Sequence, residues 1–391
     1  MRILHITSNL EIGGAQRVRL ELLRKLIAID HEPKNHMLAY FIDGPMREKF
    51  ENIGVKTVQI SGEFFTYGPA SLKFLRKVIK EFKPDIIHSQ LWAANIFARL
   101  AALNTNIPVI CDLHNMPEVQ GFWRNLFEHL FLIKPTRYVA VSDGIAKAYM
   151  QKFGLKEFNQ KSAVAGSVVT IKNGVDANKF RFSFAARENL RETFDIDSDY
   201  FVIGAVGRLE SVKSFDNLIQ AFAMFYEQIK QRLIAKNLHE EPLVRLVIVG
   251  DGSQKQMLRG LAKSHNLGKK IIITTPTKSI SRFYSLFDCL AISSRSEGLS
   301  VALLEALFAG LKVITTSPSN MHEVVVQDKN GYIVSFNDQA AMVKIFMELF
   351  ENFNPDFLER PSLASSDFEI LNMSKSYQAL YRQILQEVKS K

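Results

Sequence analysis

With 391 residues, 44.4 kDa, 47 % hydrophobic and 23 % charged side chains, the chain is too long for one ordinary domain and too close to globular averages to be collagen-like, low-complexity or disordered. The formal charge is +9, with 23 basic against 16 acidic side chains in residues 1–178 and 26 against 24 in residues 179–391. That excess suits an anionic membrane surface, phosphorylated small molecules or a merely solvated surface; no nucleic-acid module is visible, and the isolated Cys111 and Cys289 offer neither a disulfide framework nor a metal-ligand spacing.

The chain opens Met1-Arg2-Ile3-Leu4-His5-Ile6, far shorter than a signal-peptide core, and no apolar run long enough to span a membrane follows, which predicts a cytoplasmic protein. A strand over 2–6 leads through Ser8-Asn9-Leu10-Glu11-Ile12-Gly13-Gly14 into a helix from about Ala15, with Val18, Leu22, Leu23 and Leu26 on its apolar side. Gly13 and Gly14 let backbone amides and a helix N-terminus approach an anion. Being adjacent, with no third glycine after them, they do not form GxGxxG, so a nicotinamide fingerprint is unsupported. Lys73, Arg76, Lys77, Lys80 and Lys83 make a basic helix side, and strands follow at 86–88, 109–111 and 138–141. His114, in Asp112-Leu113-His114-Asn115 after the second of these, reads alone as a structural histidine or as a ligand. Residues 118–137 interleave Phe122, Trp123, Leu126, Phe127, Leu130 and Phe131 with Arg124, Lys134 and Arg137. Two readings stand for them: peripheral contact with an anionic membrane, or ordinary core packing.

A turn-forming Asn-Gly in Ile171-Lys172-Asn173-Gly174-Val175-Asp176, then a charged stretch through Arg191, marks a domain boundary. Strands restart at 202–206, 245–249, 271–273, 289–292 and 313–314, as if a second parallel sheet wrapped by helices began. Asp195-Ile196-Asp197 spells DxD but precedes a strand, so it reads as a solvated turn and no metal is expected. After the strand over 202–206 comes Gly207-Arg208-Leu209-Glu210-Ser211-Val212-Lys213. Its guanidinium and ammonium suit a diphosphate where open α/β sheets bind ligands. The strand over 289–292 feeds Ser293-Ser294-Arg295-Ser296-Glu297-Gly298-Leu299-Ser300, and a helix from about Ser300 carries Glu305 within an apolar run. Carboxylates are seldom buried without partners, and the amides of Gly298, Leu299 and Ser300 at a helix start suit hydroxyls or phosphate. Residues 373–391 are helical in period, with Tyr377, Leu380, Tyr381, Ile384 and Leu385 on one face that could pack on either domain.

Glu297-Gly298-Leu299-Ser300 through Leu304-Glu305-Ala306, then Ala309-Gly310-Leu311-Lys312-Val313-Ile314, resembles the E-x7-E signature of retaining GT-B glycosyltransferases of family four. In order, Gly13-Gly14-Ala15-Gln16-Arg17, Val141-Ser142, Asn173-Gly174-Val175-Asp176, Gly207-Arg208-Leu209 with Lys213, and Val249-Gly250-Asp251-Gly252 match as well. The resemblance implies two Rossmann-like α/β domains, 1–178 on the acceptor side and 179–365 for the nucleotide sugar, with parallel sheets facing a central cleft and 366–391 crossing back. It implies transfer of a hexose or N-acetylhexosamine from a nucleotide-sugar donor, UDP favoured, to a glycan or lipid-linked acceptor in surface polysaccharide, lipopolysaccharide or glycolipid synthesis. No cofactor is implied beyond that donor. Arg208 and Lys213 would grip the diphosphate, Glu305 the ribose, and Glu297 with Gly298, Leu299 and Ser300 the transferred sugar. Gly13 and Gly14 would reach toward phosphate and acceptor, and His114 matches the histidine near the sugar 6-position. Ser214 stands where the family often has glycine after the lysine, and Gly298-Leu299-Ser300 where Gly-Phe-Gly is common. A nucleotide-sugar epimerase of the same fold and a catalytically silent sugar-nucleotide-binding scaffold are the alternatives.

Overall fold

A computed structural model describes residues 1–60, 66–130, 136–157, 166–275, 279–316, 321–356 and 359–390; Phe131 and Lys134 lie outside them. The chain divides into two compact units, Met1–Val175 with Ser366–Lys391, and Asp176–Ser365.

In the first unit the strands are β1 (Ile3–Asn9), β2 (His36–Ile42), β3 (Lys56–Gln59), β4 (Ile86–Gln90), β5 (Val109–Leu113), β6 (Thr136–Ala140), β7 (Lys156–Glu157) and β8 (Ser167–Thr170). They pair in parallel in the order β3-β2-β1-β4-β5-β6-β8-β7. Its helices are α1 (Gly14–Asp30), α2 (Arg47–Glu51), α3 (Pro69–Phe82), α4 (Trp92–Ala102), α5 (Phe122–Leu130) and α6 (Asp143–Phe153). A parallel sheet is covered by its crossover helices, so β4, β5 and β6 are buried at every residue instead of alternating.

The second unit holds helices α7 (Phe184–Thr193), α8 (Phe215–Ala235), α9 (Lys255–Ser264), α10 (Ile280–Leu286), α11 (Val301–Phe308) and α12 (Gln339–Glu351). Its strands β9 (Phe201–Val206), β10 (Val244–Val249), β11 (Ile271–Thr274), β12 (Cys289–Ile292), β13 (Lys312–Thr315) and β14 (Gly331–Ile333) run β11-β10-β9-β12-β13-β14. Numbered within the unit that is the doubly wound order 3-2-1-4-5-6, which reverses direction between its first and fourth strands, β9 and β12. Phe222, Phe225 and Phe346 fill the core beneath α8 and α12. Beside β12, Asp288 accepts from Arg187 (2.8 Å), Arg191 (3.3 Å), Arg360 (2.8 Å) and the Val202 amide (2.8 Å). With three guanidiniums on one carboxylate, burial pushes Arg191 and Arg360 down to about 10.

The last helix, α13 (Ile370–Lys389), belongs to the first unit, where its tyrosines enter a buried charged cluster. Arg19, 2 % exposed on α1, donates to Nδ1 of His5 (3.0 Å), to Nδ1 of His88 (2.7 Å) and to Oδ2 of Asp112 (2.7 Å). Asp112 Oδ1 accepts from Tyr377 (3.0 Å) and lies 2.8 Å from His88 Nε2, while the Tyr381 hydroxyl is 2.6 Å from His88 Nδ1. His5 Nε2 in turn meets His36 Nδ1 at 3.2 Å. Burial is the main force lowering both His36 and His88, to about 4, so the imidazoles are neutral at pH 7. His88 and Arg19 overcome the burial cost at Asp112 and hold it at about 2, so it stays charged.

Candidate active site

Ligands of doubly wound sheets sit outside the carboxyl ends of the strands where the strand order reverses. In the Asp176–Ser365 unit that point is flanked by the loop leaving β9, which carries Arg208 and Lys213, and the loop leaving β12, which carries Glu297. The β9 loop is fastened to the loop after β10. The Gly207 amide donates to Val249 O (3.1 Å), the Leu209 amide to Asp251 O (2.8 Å), and the Gln254 amide to Leu209 O (2.9 Å). Ser253 adds its amide (3.0 Å) and hydroxyl (2.7 Å) to the Glu210 carboxylate, holding that group below its usual range. The approach is so close that a Cβ on Gly250 would stand 1.9 Å from Gly207 O. Gly250→Ala must therefore push the Arg208 loop away. We expect a loss of roughly 1–3 kcal/mol in stability, measured by urea unfolding.

Arg208 projects from this loop, exposed and without an ion-pair partner among the described residues. Lys213, at the end of a single helical turn, is ion-paired with Oε1 of Glu297, which also accepts from Ser294 Oγ (2.7 Å). Lys213 O accepts from Ser293 Oγ (2.9 Å) and the Arg295 amide donates to Val212 O (2.9 Å), so the two loops are joined by main chain as well as by charge. Ser214 holds φ 47°, ψ 46°, a left-handed conformation that suits glycine, and its hydroxyl donates to Ser211 O (3.2 Å) and accepts from Arg295 Nε (3.2 Å). Those bonds offset the cost of a side chain there.

Gly298, Leu299 and Ser300 are buried in the turn before α11, with Ser300 at its N-cap. The α11 residues from Ala302 to Phe308 are all buried, and Glu305 among them is 2 % exposed. Its Oε2 accepts from the Tyr284 hydroxyl at 2.5 Å, and Phe180 packs edge-on to that tyrosine ring, 5.6 Å between centroids. Tyr284 was not anticipated, because α10 carries no motif. The DxD segment closes α7: Asp195 stands at φ 54° and Asp197 O accepts from Arg191.

The remaining predicted residues lie in the first unit. Gly13 caps α1 in extended conformation, and a Cβ there would meet Gln16 Oε1 at 2.5 Å. Gln16 Nε2 donates to Asn9 Oδ1 (2.7 Å), bracing the loop in which Gly13 and Gly14 sit. His114 follows β5, two residues beyond Asp112; its Nε2 is buried and has no partner among the described residues. Burial and Arg19 lower its pKa against the opposing pull of Asp112, so it is neutral at pH 7.

The aromatic stretch is not core. On α5, Phe122 and Trp123 are 73 % and 70 % exposed and Leu130 62 %, which overturns the packing reading for these side chains. Glu128 on the opposite side pins the helix, accepting from Arg99 Nη2 (2.9 Å), while Arg99 Nη1 donates to Tyr138 (2.7 Å). Between α3 and α4 lies a groove of about 600 Å³ with Ile79, Ala101 and Ile107 on its walls and Arg76, Lys80 and Lys83 along it. No helix among the described residues is long and apolar enough to cross a membrane.

Two family models match the chain: Glycosyltransferase Family 4 over residues 12–179, and Glycosyl transferases group 1 over residues 186–360. A Campylobacter jejuni protein named as an α-1,4-N-acetyl-D-galactosaminyltransferase acting on an undecaprenol diphosphate-linked glycan is 26 % identical, over 98 % of this chain and 99 % of its own. An Escherichia coli protein named UDP-Gal:α-D-GlcNAc-diphosphoundecaprenol α-1,3-galactosyltransferase is 23 % identical, over 90 % and 88 %. The solved structure of Anabaena Alr3699/HepE with UDP and glucose superposes with a TM-score of 0.80 at 17 % identity, covering 98 % of this chain and 99 % of that one, which establishes the shared GT-B fold.

Proposed function

The chain belongs to the GT-B glycosyltransferases of family four, and from that membership we propose that it moves a hexose or N-acetylhexosamine from a UDP-sugar to a glycan or lipid-linked acceptor, with retention of anomeric configuration. The observation that carries this reading is the Lys213–Glu297 ion pair joining the loops that leave β9 and β12, where the strand order reverses, with Arg208 on the same β9 loop and Glu305 buried on α11. In the proposed complex Arg208 and Lys213 oppose the charge that develops on the departing diphosphate, where fixed positive groups accelerate most. Lys213 then exchanges part of its contact with Glu297 for phosphate, and Glu297 with the amides of Gly298, Leu299 and Ser300 holds the transferred sugar. Glu305, oriented by Tyr284, accepts from the ribose hydroxyls. Gly13 and Gly14 border the acceptor side, and neutral His114 offers a hydrogen bond to the sugar 6-hydroxyl.

The UDP assignment is supported by the ligand in the Anabaena structure and by the donor in the name of the E. coli relative. A lipid-linked acceptor fits the undecaprenol named for both bacterial relatives, and surface polysaccharide or lipopolysaccharide synthesis is the corresponding role. Peripheral contact at the inner face of an anionic membrane is supported by the exposed Phe122, Trp123 and Leu130 and by the basic α3–α4 groove. A cytoplasmic setting agrees with two buried free thiols.

The test is incubation with UDP-sugars and polyprenyl-diphosphate glycans, with products resolved by mass spectrometry and proton NMR. A glycosylated acceptor with the donor's anomeric configuration is expected, at a rate unchanged by a chelator. Donor converted to an epimer without acceptor product, an inverted linkage, or a rate abolished by the chelator contradicts the reading.

A further inference from the structure

The Asp176–Ser365 unit carries a second cavity, of about 310 Å³, that shares no residue with the Arg208–Lys213–Glu297–Glu305 group. Its polar lining is Lys179, Arg181, Ser183, Ser281, Arg282 and Ser285, and no carboxylate among the described residues lines it. Arg181 has no ion-pair partner among the described residues, and Arg282 donates only to a neutral acceptor, Asn189 Oδ1 at 2.7 Å, so neither charge is cancelled by its contacts.

The floor is built for donating. Ser285 is 1 % exposed; its Oγ accepts from the Ser183 amide (3.1 Å), and no acceptor for its own proton lies among the described residues. Directly behind it Arg187 donates to the carbonyls of Ser285 (3.3 Å) and Leu286 (3.0 Å). Arg187 is one of the three guanidiniums sharing Asp288, so surplus positive charge backs the floor as well as the rim. Ser183 caps α7, which leaves the amide of Ala185, a lining residue, without an intrahelical partner. A concave site with cations, unspent hydroxyl protons and no acid is complementary to a compact dianion.

We propose that this cavity binds the phosphate group of a small phosphorylated molecule, held by Arg181 and Arg282 with the Ser183 and Ser285 hydroxyls. Two neighbours of the cavity border the Glu305 contact: Ser285 follows Tyr284, and Phe180, whose ring packs on Tyr284, follows Lys179. An occupant therefore rests one residue from the Tyr284–Glu305 hydrogen bond on two sides.

Thermal unfolding and phosphorus NMR of the full chain test the site, with inorganic phosphate and glucose 6-phosphate as probes. The doubly substituted Arg208→Ala/Lys213→Ala protein silences the other phosphate-binding loop. In that background both probes are expected to raise the unfolding midpoint, by mass action on the folded state. Adding Arg181→Ala and Arg282→Ala, both exposed side chains whose loss leaves the ligand-free midpoint unchanged, is expected to weaken the response at least fivefold. Ser285→Ala is expected to weaken it by a smaller factor. Tighter binding of the sugar phosphate assigns the site to an ester, and equal binding to the anion itself; either supports the phosphate site. The proposal is overturned if the response already vanishes with Arg208 and Lys213, if it survives loss of Arg181 and Arg282, or if only anionic vesicles and no soluble phosphate engage those arginines.

Discussion

Arg208→Ala lowers kcat by about 10²–10³-fold while the unfolding midpoint stays at the wild-type value. The two halves of this expectation have separate origins. The Arg208 guanidinium is exposed and has no ion-pair partner among the described residues, so its removal leaves no buried group unsatisfied. The loop keeps its shape through the main-chain bonds of Gly207 and Leu209 to Val249 and Asp251, which the substitution does not touch. On the proposed function the rate falls because a fixed positive group is lost where the leaving diphosphate would gather charge. Lys213→Ala makes an informative contrast, since it also strips Glu297 of its cation and should raise KM for the donor together with lowering kcat. Steady-state kinetics with calorimetry on both variants check the pair, and an Arg208→Ala enzyme within twofold of wild type would remove that residue from the phosphate site.

Acidification unfolds the protein between pH 6.5 and 4, before most surface carboxylates are protonated. His36 and His88 titrate near 4 in the folded chain against 6.5 when unfolded, because burial disfavours their charged forms; His5 is lowered well below 6.5 for the same reason, reinforced by Arg19. Over that window the unfolded chain binds more protons, so stability is complete above pH 6.5 and is lost as the pH falls toward 4. Each displaced histidine contributes on the order of 3 kcal/mol, a large part of an ordinary domain's stability. Asp112, held at about 2, adds a further loss only below its unfolded value near 3.8. Urea midpoints measured from pH 7.5 down to 4.5 check this, and His36→Gln should flatten the curve. A midpoint independent of pH over the range would show that the imidazoles are not neutral and buried as described.

Much of the fold is legible in the chain itself. The runs at 109–111, 202–206 and 245–249 lie within strands, and the run at 2–6 overlaps β1 from Ile3, because a central strand covered on both faces must be a short continuous apolar segment. β2 escapes that reading, since His-Met-Leu-Ala-Tyr-Phe-Ile mixes helix formers with aromatics and only its place in the sheet decides it. β3 is half exposed and lies at the edge, where the apolar signal is weakest. The site is legible where chemistry and position coincide: Arg208, Lys213 and Glu297 each follow a strand, and Glu305 stands out as a charge in an apolar helix. Illegible are the residues that act through partners distant in sequence. Tyr284 is an unremarkable helix tyrosine until it meets Glu305, and Tyr377 and Tyr381 look like an apolar helix face until their hydroxyls reach Asp112 and His88. Such pairings depend on tertiary proximity, which no local pattern encodes.

The central claim, that a nucleotide sugar is held in the Asp176–Ser365 unit with Glu305 on its ribose, is tested most directly by calorimetric titration of UDP, GDP and ADP into the wild-type protein and Glu305→Ala. The account predicts that UDP binds the wild type in preference to the other two, and that Glu305→Ala, which removes the carboxylate proposed to accept from the ribose hydroxyls, binds it at least tenfold more weakly. Equal UDP affinity in the two proteins, or no heat with any of the three nucleotides, would contradict it.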